Sequence, residues 1–340
     1  MTITRRTLLQ GGAALSAAAI ITGPARAADY TFRFASLTPA AGYIHSQHLV
    51  PFKEAVERDS DGRIAVDLQP AGVFARAPQL HQLVETGVLD MAWTIQGYSS
   101  GRFPQSEVLE LPFLYDTSAA GTRALMMMND EGLFEQDYGS IKVLALYTHR
   151  PYGMFTTGQE VRTMADMAGL KMRTPSAMIG EALEMLGATP VGIPVSEIAE
   201  NLRRGVIDGT VFVYEAIRPF GLQDQLKYLT DLKIAGPRFM VIMNRARYEG
   251  LPEDLQEVID THSGMGMAMG IGEGLDSEEL RLKAEFDASP DYTVVELEPS
   301  AREEMVAATT PVQENWLAAA KADGHDGEAL LAKARSHLGG

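Results

Sequence analysis

The chain has 340 residues, 46% of them apolar and 22% charged, with 32 glycines and 17 prolines. That balance fits a folded protein of one large α/β unit or two ordinary domains, and excludes a disordered chain or a small stapled scaffold. Its 29 basic and 45 acidic side chains give a formal charge of −16, which argues against nucleic-acid or anionic-membrane binding through the general field, and the lack of any cysteine removes disulfides, thiolate nucleophiles, zinc–thiolate sites and iron–sulfur clusters.

The first 27 residues read as a cleaved export signal. Arg5 and Arg6 open it, a small apolar run from Gly11 to Ile21 follows, and Ala25-Arg26-Ala27 makes the cleavage site. The apolar run is about half of the roughly 20 residues a helix needs to span a bilayer, so no membrane span is expected. Thr4 before the paired arginines and Leu8-Leu9 after them give the form of a twin-arginine signal, with ordinary secretory export as the alternative. Either route implies a bacterial periplasm.

Beyond the signal, Thr31 to Ala35 alternates as a strand, a loop with Pro39 and Gly42 follows, and Leu49, Phe52 and Val56 recur at helical spacing before a second strand over Arg63–Leu68. This is an α/β opening. Two distant segments then share one pattern. Leu80, Val84, Gly87-Val88-Leu89-Asp90 and a strand through Trp93 can be laid on Ile198, Leu202, Gly205-Val206-Ile207-Asp208 and a strand through Phe212. In each, a glycine suited to end a helix in the left-handed region precedes a short strand. Ligands in open α/β sheets sit beyond the carboxyl ends of strands, and these two run into Trp93, Gln96, Tyr98 and into Phe212, Tyr214, Glu215. Two similar lobes facing one cleft would account for this, although a helix–Gly–strand unit is also generic to α/β folds. Further on, Ile141–Tyr147 is a strand, Val161–Gly169 has helical spacing, Leu170–Thr174 is a strand stopped by Pro175, and Phe239–Met243 is another. Pro252 then opens a helical pattern that continues through a glycine-rich stretch to Leu282.

Catalytic and metal constellations are weak. His45-x-x-His48 lacks a third ligand, so no metal and no cofactor is expected. Gly264 to Gly272 lies inside a helical pattern rather than between strand and helix, as a dinucleotide fingerprint requires. Gly97-Tyr98-Ser99-Ser100-Gly101 has the spacing of a nucleophile elbow but runs into Arg102-Phe103-Pro104 instead of a helix. Met126-Met127-Met128 fits core packing better than a soft-metal site. Arg173, at the end of a short apolar strand, is either half of an internal ion pair or a bidentate clamp for a carboxylate.

Taken together, Asp90-Met91-Ala92-Trp93, Gly97-Tyr98, Gly101-Arg102-Phe103-Pro104, Glu110-Leu111-Pro112-Phe113, Asp166-Met167-Ala168-Gly169-Leu170-Lys171-Met172-Arg173-Thr174-Pro175, Gly205-Val206-Ile207-Asp208-Gly209 and Lys227-Tyr228 resemble the periplasmic solute receptors of TRAP transporters, the DctP-like family. The likeness covers essentially the whole mature chain. It implies a two-lobed α/β periplasmic binding protein fold with hinge-crossing segments and a long interlobe helix. The corresponding division is residues 28–150 with about 240–278 in one lobe and 151–239 with about 279–335 in the other. It further implies a receptor rather than an enzyme, with Arg173 pairing the carboxylate of an organic acid that is handed to a membrane permease. Many sugar-acid members carry asparagine where this chain has Phe212, and Val213-Tyr214-Glu215 replaces their usual Asn-Pro. With Trp93 on the other lobe, this favours a monocarboxylate with an apolar or aromatic body. Gln96, Glu215 and Arg150 are candidate polar contributors. A receptor presenting its ligand to a sensor kinase, or a twin-arginine-exported enzyme, are the competing functions.

Overall fold

A computed structural model describes residues 27–339; the export-signal reading therefore falls outside the described residues, Ala27 apart. Eleven strands are found among them: β1 (Tyr30–Ala35), β2 (Ile64–Gln69), β3 (Met91–Ile95), β4 (Ile141–Thr148), β5 (Gly153–Thr156), β6 (Lys171–Thr174), β7 (Thr189–Gly192), β8 (Gly209–Phe212), β9 (Tyr228–Thr230), β10 (Arg238–Asn244) and β11 (Thr293–Val295). They form two sheets, ordered β2-β1-β3-β10-β4 and β11-β9-β5-β8-β6-β7. Each sheet is parallel except for one inserted strand. β10 runs antiparallel to both β3 and β4, and β5 antiparallel to both β8 and β9. The result is a two-lobed α/β architecture, one lobe around each sheet.

The repeated sequence pattern maps onto equivalent places. Gly87 (φ +75°) and Gly205 (φ +66°) both sit in the left-handed region after the short helices Leu80–Glu85 and Ile198–Arg203, where a side chain would be strained. β3 and β8 follow and are buried at every residue, as strands covered on both faces must be.

The chain passes between lobes at residues 149–152, joining β4 to β5, and at residues 231–237, joining β9 to β10. The helix Gly264–Asp287 lies along both: it packs on the helix Ser118–Asp130 and β4 in one lobe, and on the short helix Tyr214–Ile217 and β11 in the other. Two of its acids, three residues apart, serve different lobes. Asp276 accepts hydrogen bonds from the backbone N–H groups of Ser118 (2.8 Å) and Ala119 (2.9 Å), at the open first turn of one helix. Glu279 accepts from Tyr214 (3.0 Å) and Glu215 (2.7 Å) across the divide.

Three sequence expectations differ from the structure. The pattern from Pro252 to Leu282 is two helices, Glu253–Thr261 and Gly264–Asp287, separated at Ser263 and by Gly264 at φ +68°. The helix expected over Val161–Gly169 is a single turn, Met164–Met167: Asp166 fixes its start by accepting from the N–H groups of Arg162 and Thr163, and the chain leaves helical geometry at Ala168 and Gly169 (φ +78°). The tail does not stay with the second lobe. The helix Gly327–Leu338 lies on Ser118–Asp130 of the first, burying Leu330, Leu331 and Ala334, while Thr310–Ala322 reaches the helix Ala177–Met185 of the second.

Candidate functional site

A cavity lies between the lobes, with about 480 Å³ of space free of protein atoms, part of it open to solvent. The first lobe supplies an aromatic wall. Phe239 on β10 stands opposite Ile95 of β3 and Tyr147 of β4, so Trp93, Ile95, Tyr147 and Phe239 share one sheet face. Phe239 stacks on Tyr147 at 5.1 Å between ring centres and on Trp93 at 5.8 Å. The Trp93 indole N–H donates to the Tyr147 hydroxyl at 2.6 Å, which satisfies the buried nitrogen and fixes the ring.

The second lobe supplies the cation. Arg173 on β6 stands opposite Thr210 of β8, and Phe212 lies two residues further along the same face. Arg173 is only 1% exposed. Its Nε donates to the Ile193 carbonyl (2.8 Å) and its Nη2 to the Tyr98 hydroxyl (3.2 Å). No carboxylate among the described residues comes within ion-pair distance of it. Tyr98 belongs to the first lobe, and its hydroxyl also accepts from the Val195 N–H at 3.0 Å, so this phenol joins the two lobes at the arginine. The lobes also meet where Ser176 donates to Glu110 at 2.6 Å and where Arg76 pairs with Glu197. Gly97 permits this approach, since a Cβ there would stand 2.9 Å from the Ser176 Cβ and 3.1 Å from the Pro175 carbonyl.

A second polar cluster lines the same cavity. His149, 1% exposed, sits just after β4 with its Nε2 3.8 Å from Glu215, too far for a formed hydrogen bond. Neither ring nitrogen has a hydrogen-bond partner among the described residues. Burial opposes charging of this imidazole, but Glu215, Glu279 and Asp276 together outweigh it and raise its pKa above the ordinary value. Burial pushes the Tyr147 and Tyr152 phenols well up, so both stay protonated on the wall.

Of the residues expected from sequence, Arg173, Trp93, Phe212 and Glu215 line this cavity; Gln96, Tyr214 and Arg150 do not. Gln96 turns its carbonyl oxygen to Arg238 Nη1 (2.5 Å) and Ser106 Oγ (3.2 Å). Tyr214 packs behind the site, its ring 4.9 Å from Phe155 and 5.9 Å from Phe286. Arg150 is taken by Asp276 at 3.0 Å. Sequence reasoning missed Tyr147, His149, Tyr152, Phe220 and Phe239, all on the wall. The crossing His149-Arg150-Pro151-Tyr152 was a usable signal for two of these; Phe239 carried none, since its place depends on β10 entering the sheet from far along the chain. Ser99 sits in a turn after Gln96–Tyr98 with no helix following, unlike a nucleophile elbow. Among the described residues no group of three or more His, Asp or Glu is arranged to hold a metal.

Residues 34–319 match the bacterial extracellular solute-binding proteins, family 7, of the DctP type. The chain belongs to this family. Among solved structures, a TRAP solute-binding protein from an unidentified marine microbe is similar over 91% of this chain and 98% of its own, with 33% identity and a TM-score of 0.86; it is specific for aromatic acid ligands and holds metahydroxyphenylacetate. A TRAP solute-binding protein from Rhodoferax ferrireducens with copurified benzoate has 29% identity and a TM-score of 0.86 over 91% and 97% of the two chains. One from Bordetella bronchiseptica with bound (R)- and (S)-mandelate has 26% identity and a TM-score of 0.83 over 91% and 98%. This TRAP solute receptor is thus a binding protein by family. Among its described residues no helix is long and apolar enough to cross a membrane.

Proposed function

We propose that this receptor captures an aromatic monocarboxylate in the interlobe cavity and delivers it to a TRAP permease, with Arg173 pairing the carboxylate. The observation that carries the reading is Arg173 itself, a fully buried guanidinium that faces an aromatic cavity with no acid of its own. A buried charge without a counter-charge is costly, and an incoming carboxylate would relieve that cost while making two parallel hydrogen bonds. Trp93, Phe212 and Phe239 would bury the ring, at roughly 25 cal/mol per Å² of apolar surface. Three similar receptors with benzoate, mandelate or hydroxyphenylacetate bound support the choice of ligand class. The function is capture and hand-over, with no chemical step on the ligand, and the lobes turn about residues 149–152 and 231–237.

The deciding experiment is calorimetry on the mature protein, stripped of ligand by unfolding and refolding, against aromatic, keto, hydroxy, dicarboxylic and sugar acids. Aromatic monocarboxylates are expected to bind, and Arg173→Met to weaken them by about a hundredfold or more. Binding of sugar acids alone would overturn the aromatic assignment, and binding indifferent to Arg173→Met would overturn the clamp. Export proceeds by the twin-arginine route in this reading, supported by Arg5-Arg6 in their sequence setting; replacing both with lysine should trap the precursor inside the cell.

A further inference from the structure

Besides Arg173, the cavity wall carries polar side chains that an unsubstituted benzoate or phenylacetate would leave without partners. Arg173 and its partners Ile193 and Tyr98 form one cluster. His149, with Glu215 at 3.8 Å, its own N–H on the Pro237 carbonyl at 3.0 Å and Phe239 at 6.5 Å between rings, forms another, and the two share no partner. Glu215 and His149 both line the cavity. His149 is buried and the Glu215 side chain is 9% exposed, and neither imidazole nitrogen is hydrogen-bonded among the described residues. A buried imidazole and a largely covered carboxylate just too far apart to bond each other form an incomplete pair. The group that completes them must accept from one and donate to the other, and a hydroxyl does both.

We infer that His149 and Glu215 form a hydroxyl-recognition subsite, so that the preferred ligand is a ring- or side-chain-hydroxylated aromatic acid with its carboxylate on Arg173 and its hydroxyl between the imidazole and the Glu215 carboxylate. This rests on the aromatic-acid reading of the cavity and narrows it. Backbone contacts position each group: the Glu215 N–H, just after β8, is held by Glu279 at 2.7 Å, and the His149 N–H, at the start of the crossing after β4, by the Pro237 carbonyl at 3.0 Å. A ligand that leaves this polar site unfilled is penalised.

The test compares matched pairs by calorimetry on the ligand-stripped mature protein: benzoate against 3- and 4-hydroxybenzoate, and phenylacetate against 3- and 4-hydroxyphenylacetate and mandelate. At least one hydroxylated acid should bind more tightly than its parent by about tenfold or more, the scale of a hydrogen bond to a charged group. In His149→Phe the ratio for that pair should collapse towards one. Glu215→Gln, which keeps an acceptor but removes the charge, should reduce the ratio without abolishing it, and it serves as the readout should His149→Phe fail to fold. If every parent acid binds as tightly as its hydroxylated forms, the subsite is overturned and the aromatic-acid receptor stands. If the preference persists undiminished in both variants, the hydroxyl is read elsewhere and the assignment to His149 and Glu215 falls. If none of these acids binds, the underlying aromatic reading fails as well.

Discussion

The two lobes each hold an arginine that is 1% exposed, Arg238 in the first and Arg173 in the second, and the protein treats them in opposite ways. Arg238, the first residue of β10, is saturated by its own chain. Glu110 accepts from its Nε (3.1 Å) and Nη2 (3.0 Å), while Gln96 (2.5 Å) and Ser106 (2.8 Å) take Nη1. Arg173 has a carbonyl, a phenol and no acid. Burial alone therefore does not distinguish a structural cation from a binding one; the state of its counter-charge does. A group whose charge is already answered holds the fold, and one left unanswered at a cavity wall is available to a ligand.

The comparison can be broken by removing each arginine in turn. Arg238→Ala would strand the buried Glu110 carboxylate and should cost roughly 3–5 kcal/mol of stability, read by denaturant unfolding of the ligand-free protein; a change within the noise would show that Arg238 is not saturated as described. Arg173→Met should do the reverse. Free-protein stability should change by less than about 1.5 kcal/mol, the scale of an ordinary hydrogen bond, while the bound acid is lost in calorimetry.

Glu279 sharpens the contrast from the acidic side, as a buried carboxyl held by two backbone N–H groups. Burial pushes its pKa up to about 7. The unfolded chain releases this proton near 4.5 and the folded chain only near 7, so folding stability should fall as pH rises through that window. His149, also raised, adds to the fall above about 6.5, its ordinary value. Unfolding midpoints at pH 5 and pH 8 should therefore differ less in Glu279→Gln than in the wild type, and an unchanged difference would remove Glu279 from the account. The smallest expected effect is at the aromatic wall. Trp93→Phe keeps the stack but loses the donor to Tyr147, costing about 1 kcal/mol in the same unfolding measurement.

Much of this was legible in the sequence because it is local. Strands β1, β2, β3, β4, β6, β8 and β10 and the Gly87 and Gly205 helix stops follow from patterns spanning about a dozen residues; the short strands β5, β7, β9 and β11 were not read, and the two lobes came from the family resemblance. Arg173 was legible as a choice between ion pair and clamp, since strand end and proline stop can be read but the missing counter-charge cannot. Gln96 shows the limit. It lies at the end of β3 as expected, yet its carbonyl is claimed by an arginine 142 positions away, and no spacing rule reaches that far. Arg150 was lost in the same way to Asp276, 126 positions on. The break at Ser263 was local and still missed, because helical periodicity continues across it on both sides.

The antiparallel place of β10 has a consequence for how the molecule is made. β3 and β4 do not touch in the first sheet; residues 238–244 stand between them. A ribosome delivers β1 to β4 and then the strands β5 to β9 of the other sheet before it delivers the strand that unites the first. The amino-terminal lobe is thus a product of late synthesis, its wall of Trp93, Phe239 and Tyr147 assembled only after more than two thirds of the chain exists. Closing such long-range pairings is slow and leaves unpaired edges open to wrong partners in the meantime, so the nascent chain is most exposed to misassembly between the emergence of β4 and that of β10.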